Sequence, residues 1–189
     1  DAMPALASLA ADYRPTRSST PSSNLKVRRE IRRSAENRSE QDLMSLAEFD
    51  EQPDMVEEIN TFEGIDDGGS NYLTLLESRM PIPETGSYRF SISSDDSSVL
   101  RIAEDGNPDS LREIARVDGW VGPNQWRQQS SQQSEPIALE ADQIVLLEAR
   151  HAQGSGGNHL AVGWTMPDGT FEGPIGGGGS DLDPMETPL

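Results

Sequence analysis

Residues 86–103 constrain the fold of this chain more than any other stretch. The first half alternates apolar side chains, Tyr88 and Phe90 among them, with serines and an arginine, and the second half repeats the alternation. A period of two is typical of half-buried antiparallel strands. We therefore predict two strands joined at the adjacent acids Asp95 and Asp96, which should lie at a strand edge or at the mouth of a hairpin.

Further strand-like segments follow one another from residue 56 onward, separated by turns rich in Gly, Asp, Asn and Pro. The additional predicted strands are 56–62, 72–76, 113–117, 136–139, 143–150 and 160–165. Short strands with turns at this spacing favour an all-β sandwich over a βαβ array. The sequence thus predicts an antiparallel two-sheet β-sandwich, preceded by a short helix that begins near Ser39 and carries Leu43 and Phe49 on its apolar side.

Three parts are expected along the chain. Residues 1–24 are polar and interrupted by proline, which predicts an extended arm that packs on another chain or along the sandwich. Residues 25–176 form the sandwich, and residues 177–189 form a Gly-rich linker with a polar tail.

The charge of the chain is strongly negative, with 33 acidic and 15 basic residues. Such a surface repels phosphate backbones and anionic lipid, so we expect neither nucleic-acid binding nor electrostatic attachment to a membrane. No stretch has the apolar length of a membrane span, and the absence of cysteine rules out disulfides and thiolate zinc sites. The bases gather near the amino end, where Arg28, Arg29, Arg32 and Arg33 are better explained as a solvated basic face than as an anion site.

The Asp95–Asp96 pair is a candidate cation site. Neighbouring carboxylates repel each other unless a cation or a set of donors compensates their charge, and calcium prefers such hard oxygen ligands. A solvated turn is the alternative, and it is the commoner outcome for an isolated acidic pair.

Other patterns of site chemistry are incomplete. Residues 105–116 begin with EF-hand spacing but lack its glycine and its final glutamate. His151 and His159 are too few for zinc and are expected at the surface. Because no motif specifies a reaction, we expect a protein that is not an enzyme.

The three tryptophans have different expected places. Trp164 alternates with Leu160 and Val162 and should lie in the core. Trp120 and Trp126 flank a loop, where each ring either stacks on a ligand or fills the core.

Several motifs occur together in an order that resembles the β-sandwich family named after the anthrax protective antigen, also found in fungal flocculins and bacterial surface adhesins. The resemblance covers roughly residues 28–176. It is carried by the segments 52–56, 61–64, 83–90, 94–96, 119–120, 125–126, 133–141 and 156–164.

The resemblance implies a ligand set that the residues alone do not give. In its lectin members calcium is held by an Asp-Asp pair joined by a cis peptide bond and by a second loop, and the ion binds vicinal sugar hydroxyls. Matched by position, the calcium ligands are Asp95, Asp96, Ser155, Gly156, Gly157 and Asn158. The residues expected to contact carbohydrate are Asp95, Asp96, Asn158, Trp120 and His159.

Two functions are therefore open at the level of sequence. The expected one is a calcium-dependent carbohydrate-binding module of an extracellular or cell-surface protein, with a cell-surface glycan or polysaccharide as partner. The alternative is a structural subunit of a surface assembly, held together through residues 1–24 and 177–189, in which calcium is structural or absent.

Overall fold

A computed structural model of the protein describes residues 25–33, 47–66 and 69–177. The predicted arm 1–24, the tail from residue 178 and the predicted helix start near Ser39 lie outside these ranges. Within them, the end of the predicted helix is a four-residue 3-10 turn, Ala47–Asp50. No helix among the described residues is long and apolar enough to cross a membrane.

The described residues form two antiparallel sheets, which confirms the predicted β-sandwich. One sheet has six strands in the order β2-β1-β3-β8-β5-β6, and the other has four in the order β10-β9-β4-β7. The strands are β1 Val27–Arg33, β2 Met55–Ile59, β3 Tyr72–Pro81, β4 Gly86–Asp95, β5 Ser98–Ala103, β6 Arg112–Val117, β7 Ile137–Leu139, β8 Ile144–Gln153, β9 His159–Thr165 and β10 Phe171–Glu172.

The main core lies between the inner faces of the two sheets. The apolar half of β4 supplies Tyr88, Phe90 and Ile92, all fully buried, as the alternation predicts. Trp164 is also buried, and its ring centroid lies 5.4 Å from that of Tyr88, which confirms its predicted place in the core. The indole N–H of Trp164 donates to Glu172 at 2.8 Å, so the one polar atom of this large ring is satisfied.

The predicted hairpin at the aspartate pair is wrong, because β4 and β5 belong to different sheets. β4 pairs with β7 and β9, whereas β5 pairs with β6 and β8. Residues 95–98 thus carry the chain from one sheet to the other. An alternating pattern shows which side chains face a core but not which strand is the hydrogen-bonding partner, so a hairpin and a crossing between sheets have the same sequence signature.

The expected solvated basic face is also wrong for two of its arginines. β1 lies inside the six-stranded sheet between β2 and β3, and carboxylates on its own and neighbouring strands meet its cations. Arg29 binds Glu57 through two nitrogens, at 3.0 and 2.7 Å, and Arg32 binds the buried Glu30 at 2.6 Å. Arg28 remains mostly exposed although it also pairs with Glu30.

A second buried ionic group, of one glutamate and two arginines, lies on the outer face of the same sheet. Glu148 on β8 is almost fully buried, and it accepts from Arg101 at 3.0 Å and from Arg150 at 2.8 Å. Removing one partner of a buried ionic group leaves the others without compensation, which costs more than losing an exposed pair.

We therefore expect Glu148→Ala to lower the free energy of unfolding by about 3 kcal/mol, because two arginines lose their shared partner. Urea denaturation followed by circular dichroism measures the change. Glu113→Ala is the matched control, since Glu113 pairs with Arg116 at 3.2 Å in a more exposed setting and should cost less than about 1 kcal/mol. Equal losses for the two variants would contradict a special role for the buried pair.

Candidate functional site

The candidate site lies at one end of the sandwich, where two connections cross between the sheets side by side. The first runs from β4 to β5 and contains Asp95 and Asp96. The second, residues 154–158, runs from β8 to β9. Because β4 pairs with β9 and β5 with β8, the register brings both crossings to the same end of the sandwich, with Asp95 directly opposite His159.

The peptide bond between Asp95 and Asp96 is cis, as the family resemblance implied. Asp95 is the last residue of β4, and both aspartates are partly buried. The pair is therefore part of the end of the sandwich and not an exposed turn.

Both carboxylates lie against the second crossing. The backbone N–H of Gly154 donates to Asp96 Oδ2 at 2.8 Å. A Cβ atom placed on Gly157 would lie 2.6 Å from Asp95 Oδ2, closer than real Cβ atoms come, so a larger residue there would displace the carboxylate or the loop. The glycines of this loop thus allow backbone to approach both acids closely.

A buried glutamine, which the sequence analysis did not identify, joins the two crossings. Gln153 is the last residue of β8 and is only 3% exposed. Its Oε1 accepts from the backbone N–H of Asp96 at 3.1 Å, and its Nε2 donates to the carbonyl oxygen of Gly157 at 2.8 Å. The sequence analysis missed Gln153 because the predicted strand ended at residue 150. Had the alternation of this strand been continued to residue 153, it would have placed Gln153 on the inward-facing side.

His151 was expected at the surface, and this expectation is wrong. β8 continues three residues past the predicted end and turns His151 into the sandwich, where it is 1% exposed. Burial lowers its pKa to about 4, so the ring is neutral at pH 7. Its Nε2 lies 3.0 Å from the carbonyl oxygen of Asp95, and since that oxygen only accepts, the ring donates.

Asn158 and His159 stand at the end of the second crossing, next to the aspartates. The side-chain amide nitrogen of Asn158 donates to the hydroxyl of Tyr72 at 3.3 Å. His159 is partly exposed, burial lowers its pKa, and its Nε2 lies 3.1 Å from the hydroxyl of Ser93. Both residues are therefore held by neighbouring strands beside the carboxylates.

Trp120 and Trp126 have opposite places. Trp120 is 60% exposed, and its backbone forms an isolated bridge with Asp95. Two hydrogen bonds fix the backbone on either side of Trp120. The N–H of Gly119 donates to Ser97 Oγ, and the N–H of Val121 donates to the carbonyl oxygen of Ser94, both at 2.9 Å. Trp126 is buried, with its ring centroid 5.2 Å from that of Phe171, so of these two tryptophans Trp120 is the exposed one.

The structure thus brings together most of the predicted site residues. Hydrogen bonds, a strand pair and a close approach connect Asp95, Asp96, Gly157 and His159, and Asn158 lies between the last two in the chain. Ser155 and Gly156 are exposed at the tip of the same loop, where Gly156 has a φ of +105°.

The donors offered by this arrangement are carboxylate, amide and backbone carbonyl oxygens, which suit a hard cation such as calcium. No group of three or more His, Cys, Asp or Glu side chains comes together in the part of the chain that the structure describes. Carboxylate, amide and carbonyl oxygens are ligands that calcium and magnesium prefer, whereas transition metals favour imidazole and thiolate, so the chemistry of this donor set fits the predicted calcium ligands.

Comparison with known proteins found likeness at the level of structure. No family model matches the sequence, and no curated protein matches it. A solved structure of a PA14 sugar-binding domain from an RTX adhesin superposes with a TM-score of 0.57 at 14% identity, covering 79% of this chain and 94% of that one.

Two fungal adhesin domains are similar to the same degree. The Epithelial Adhesin 9 A domain from Candida glabrata, solved with Galb1-3GlcNAc, gives a TM-score of 0.56 at 12% identity, over 86% of this chain and 95% of that one. The Epithelial Adhesin 6 A domain, from the same organism and with the same glycan, gives 0.53 at 12% identity, over 84% and 85%. The predicted resemblance is confirmed at the level of fold: this chain has the β-sandwich of PA14-type adhesin domains.

Proposed function

We propose that this protein is a calcium-dependent carbohydrate-binding module. The ion is held by Asp95, Asp96 and Asn158 together with backbone oxygens of residues 155–157, and it binds a pair of sugar hydroxyls. The observation that carries the proposal is the close approach of both carboxylates to the glycine loop of the second crossing.

Electrostatics supports a cation between the two crossings. The adjacent carboxylates repel each other, and the chain has a net charge of −18, which raises the local concentration of cations. Each neutral donor, such as the N–H of Gly154, compensates only part of a carboxylate charge. A divalent ion bound between the crossings compensates both charges at once.

The surroundings suit a sugar as the outer ligand. Calcium takes 6–8 oxygen ligands in flexible geometry, so an ion held at a loop keeps positions for hydroxyl groups. Trp120, which is exposed, and His159, which is partly exposed, both pair with Asp95 through their backbones, and their side chains supply an apolar ring and a polar imidazole at this end of the sandwich.

The neighbours in fold support the same class of ligand. The RTX adhesin domain is described as sugar-binding, and the Epithelial Adhesin domains were solved with disaccharides. By this analogy we propose binding without catalysis, with an extracellular or cell-surface location and a glycan as partner. The assembly alternative stays a prediction, because residues 1–24 and 178–189 lie outside the described ranges.

Calcium should stabilise the folded protein. A ligand that binds only the native state at a hundredfold excess over its Kd adds about 2.7 kcal/mol, so chelation should lower the Tm by several degrees. Asp96→Asn should remove most of this difference, because one carboxylate is lost from the site. Calorimetry with calcium and with chelator provides the measurement.

The matched control is Asp109→Asn, an exposed acid in the 3-10 turn Pro108–Ser110 after β5, which should keep the full calcium shift. A wild-type Tm that is the same with calcium and with chelator would refute the metal site.

Sugar binding should require calcium and Asn158. We expect Asn158→Ala to abolish binding of a glycan selected on an array, because the ion loses its amide ligand, while the sandwich stays folded. Trp120→Ala should weaken binding only in part, since stacking adds to the contacts of the ion, and it should leave the Tm unchanged because the ring is 60% exposed.

Isothermal titration with and without chelator measures these effects, and a Kd of about 0.1–1 mM is expected for so shallow a site. Binding that persists unchanged in chelator would place recognition elsewhere on the protein and leave the assembly alternative as the better hypothesis.

A further inference from the structure

Tyr72, which the sequence analysis did not connect with the site, reaches it from inside the sandwich. It is the first residue of β3 and is 2% exposed. Its hydroxyl donates to the carbonyl oxygen of Ile65 at 3.3 Å and accepts from the amide nitrogen of Asn158 at 3.3 Å. The ring meets the buried ring of His151 edge-on, with centroids 6.1 Å apart, so packing fixes the position of the hydroxyl.

The hydrogen bonds of this hydroxyl determine which end of the Asn158 amide faces it. A tyrosine hydroxyl carries one proton, and the carbonyl of Ile65 is only an acceptor, so that proton is directed at Ile65. Toward Asn158 the hydroxyl then offers lone pairs, which require the NH₂ end of the amide. The oxygen Oδ1 of Asn158 is thereby turned away from Tyr72.

The neighbouring residue of the loop is held in a similar way. Gln153 binds the carbonyl oxygen of Gly157 from the interior at 2.8 Å. Two consecutive residues of the second crossing, Gly157 and Asn158, are thus oriented by almost fully buried side chains of the six-stranded sheet.

We propose that Tyr72 is a positioning residue that presets the amide of Asn158 for a cation by holding its nitrogen toward the tyrosine and its oxygen away from it. The inference rests on the proposed function, because the orientation of the amide matters only if Asn158 binds the ion. An amide that is already oriented loses less freedom on binding, so Tyr72 raises the affinity for calcium without contacting it.

The first test compares two tyrosine-to-phenylalanine variants by isothermal titration with calcium alone. Tyr72→Phe removes only the hydroxyl, and we expect affinity to fall about three- to tenfold, the effect of one neutral hydrogen bond. Tyr88→Phe is the matched control, because Tyr88 is fully buried and its hydroxyl donates to the carbonyl of Glu84 at 2.8 Å, at the opposite end of β4 from Asp95. Its calcium affinity should equal that of the wild type.

The second test separates orientation of the amide from general support of the loop. In an Asn158→Asp background both ends of the side chain are oxygen, so orientation no longer matters, and Tyr72→Phe should change calcium affinity less than about twofold. If Tyr72 only supports the loop, the substitution weakens binding equally in both backgrounds, and the inference is wrong.

A third measurement needs neither calcium nor a variant. In the calcium-free wild type, the side-chain NH₂ protons of Asn158 should exchange with solvent at least several-fold more slowly in NMR spectra than those of the exposed Asn107. Equal exchange rates would overturn the inference even if Tyr72→Phe does not fold.

The outcomes distinguish this inference from the proposed function. A wild type that binds no calcium at millimolar concentration removes both. A wild type that binds calcium, together with a folded Tyr72→Phe variant of equal affinity, overturns the role of Tyr72 and leaves the proposed function standing.

Discussion

The rest of the site depends on the fact that two connections cross between the sheets at the same end of the sandwich and in opposite directions. One carries two adjacent carboxylates, and the other is made largely of glycine, so charge and backbone meet at close range. Because β4 pairs with β9 and β5 pairs with β8, the two crossings that connect these strands lie next to each other. The location of the acids is therefore a property of the sheet topology as much as of the local sequence.

The interior of the sandwich is polar at the end where the two crossings meet. The inner face of β8 changes from Leu147 and Ala149 to His151 and Gln153 as it approaches the crossings. Buried polar groups are stable only when they are hydrogen-bonded, and these two bind backbone atoms of Asp95, Asp96 and the second crossing. At this end of β8, hydrogen bonds from buried polar side chains to the backbone thus take the place of apolar packing, and they fix the positions of both crossings.

Much of this fold was predictable from the sequence, because period-two patterns show directly which residues face a core. The sandwich and the buried Trp164 follow from that signal, and the cis peptide bond between Asp95 and Asp96 follows from the resemblance. The strand partners of β4 and β5 did not follow, since pairing depends on the whole topology. Gln153 and Tyr72 were missed for a related reason: a buried polar residue at a strand end reveals its role only when the atoms it binds are known.

The attachment of Trp120 has a consequence for how such a domain can diverge. Its backbone is paired with Asp95, but its ring projects into solvent and takes no part in the core. A different side chain at this position would therefore leave the carboxylates, the glycine loop and the packing of the sandwich as they are. The exposed ring and the paired backbone of this residue thus serve the surface and the fold separately, so the chemistry of the surface at position 120 can change without a penalty in stability.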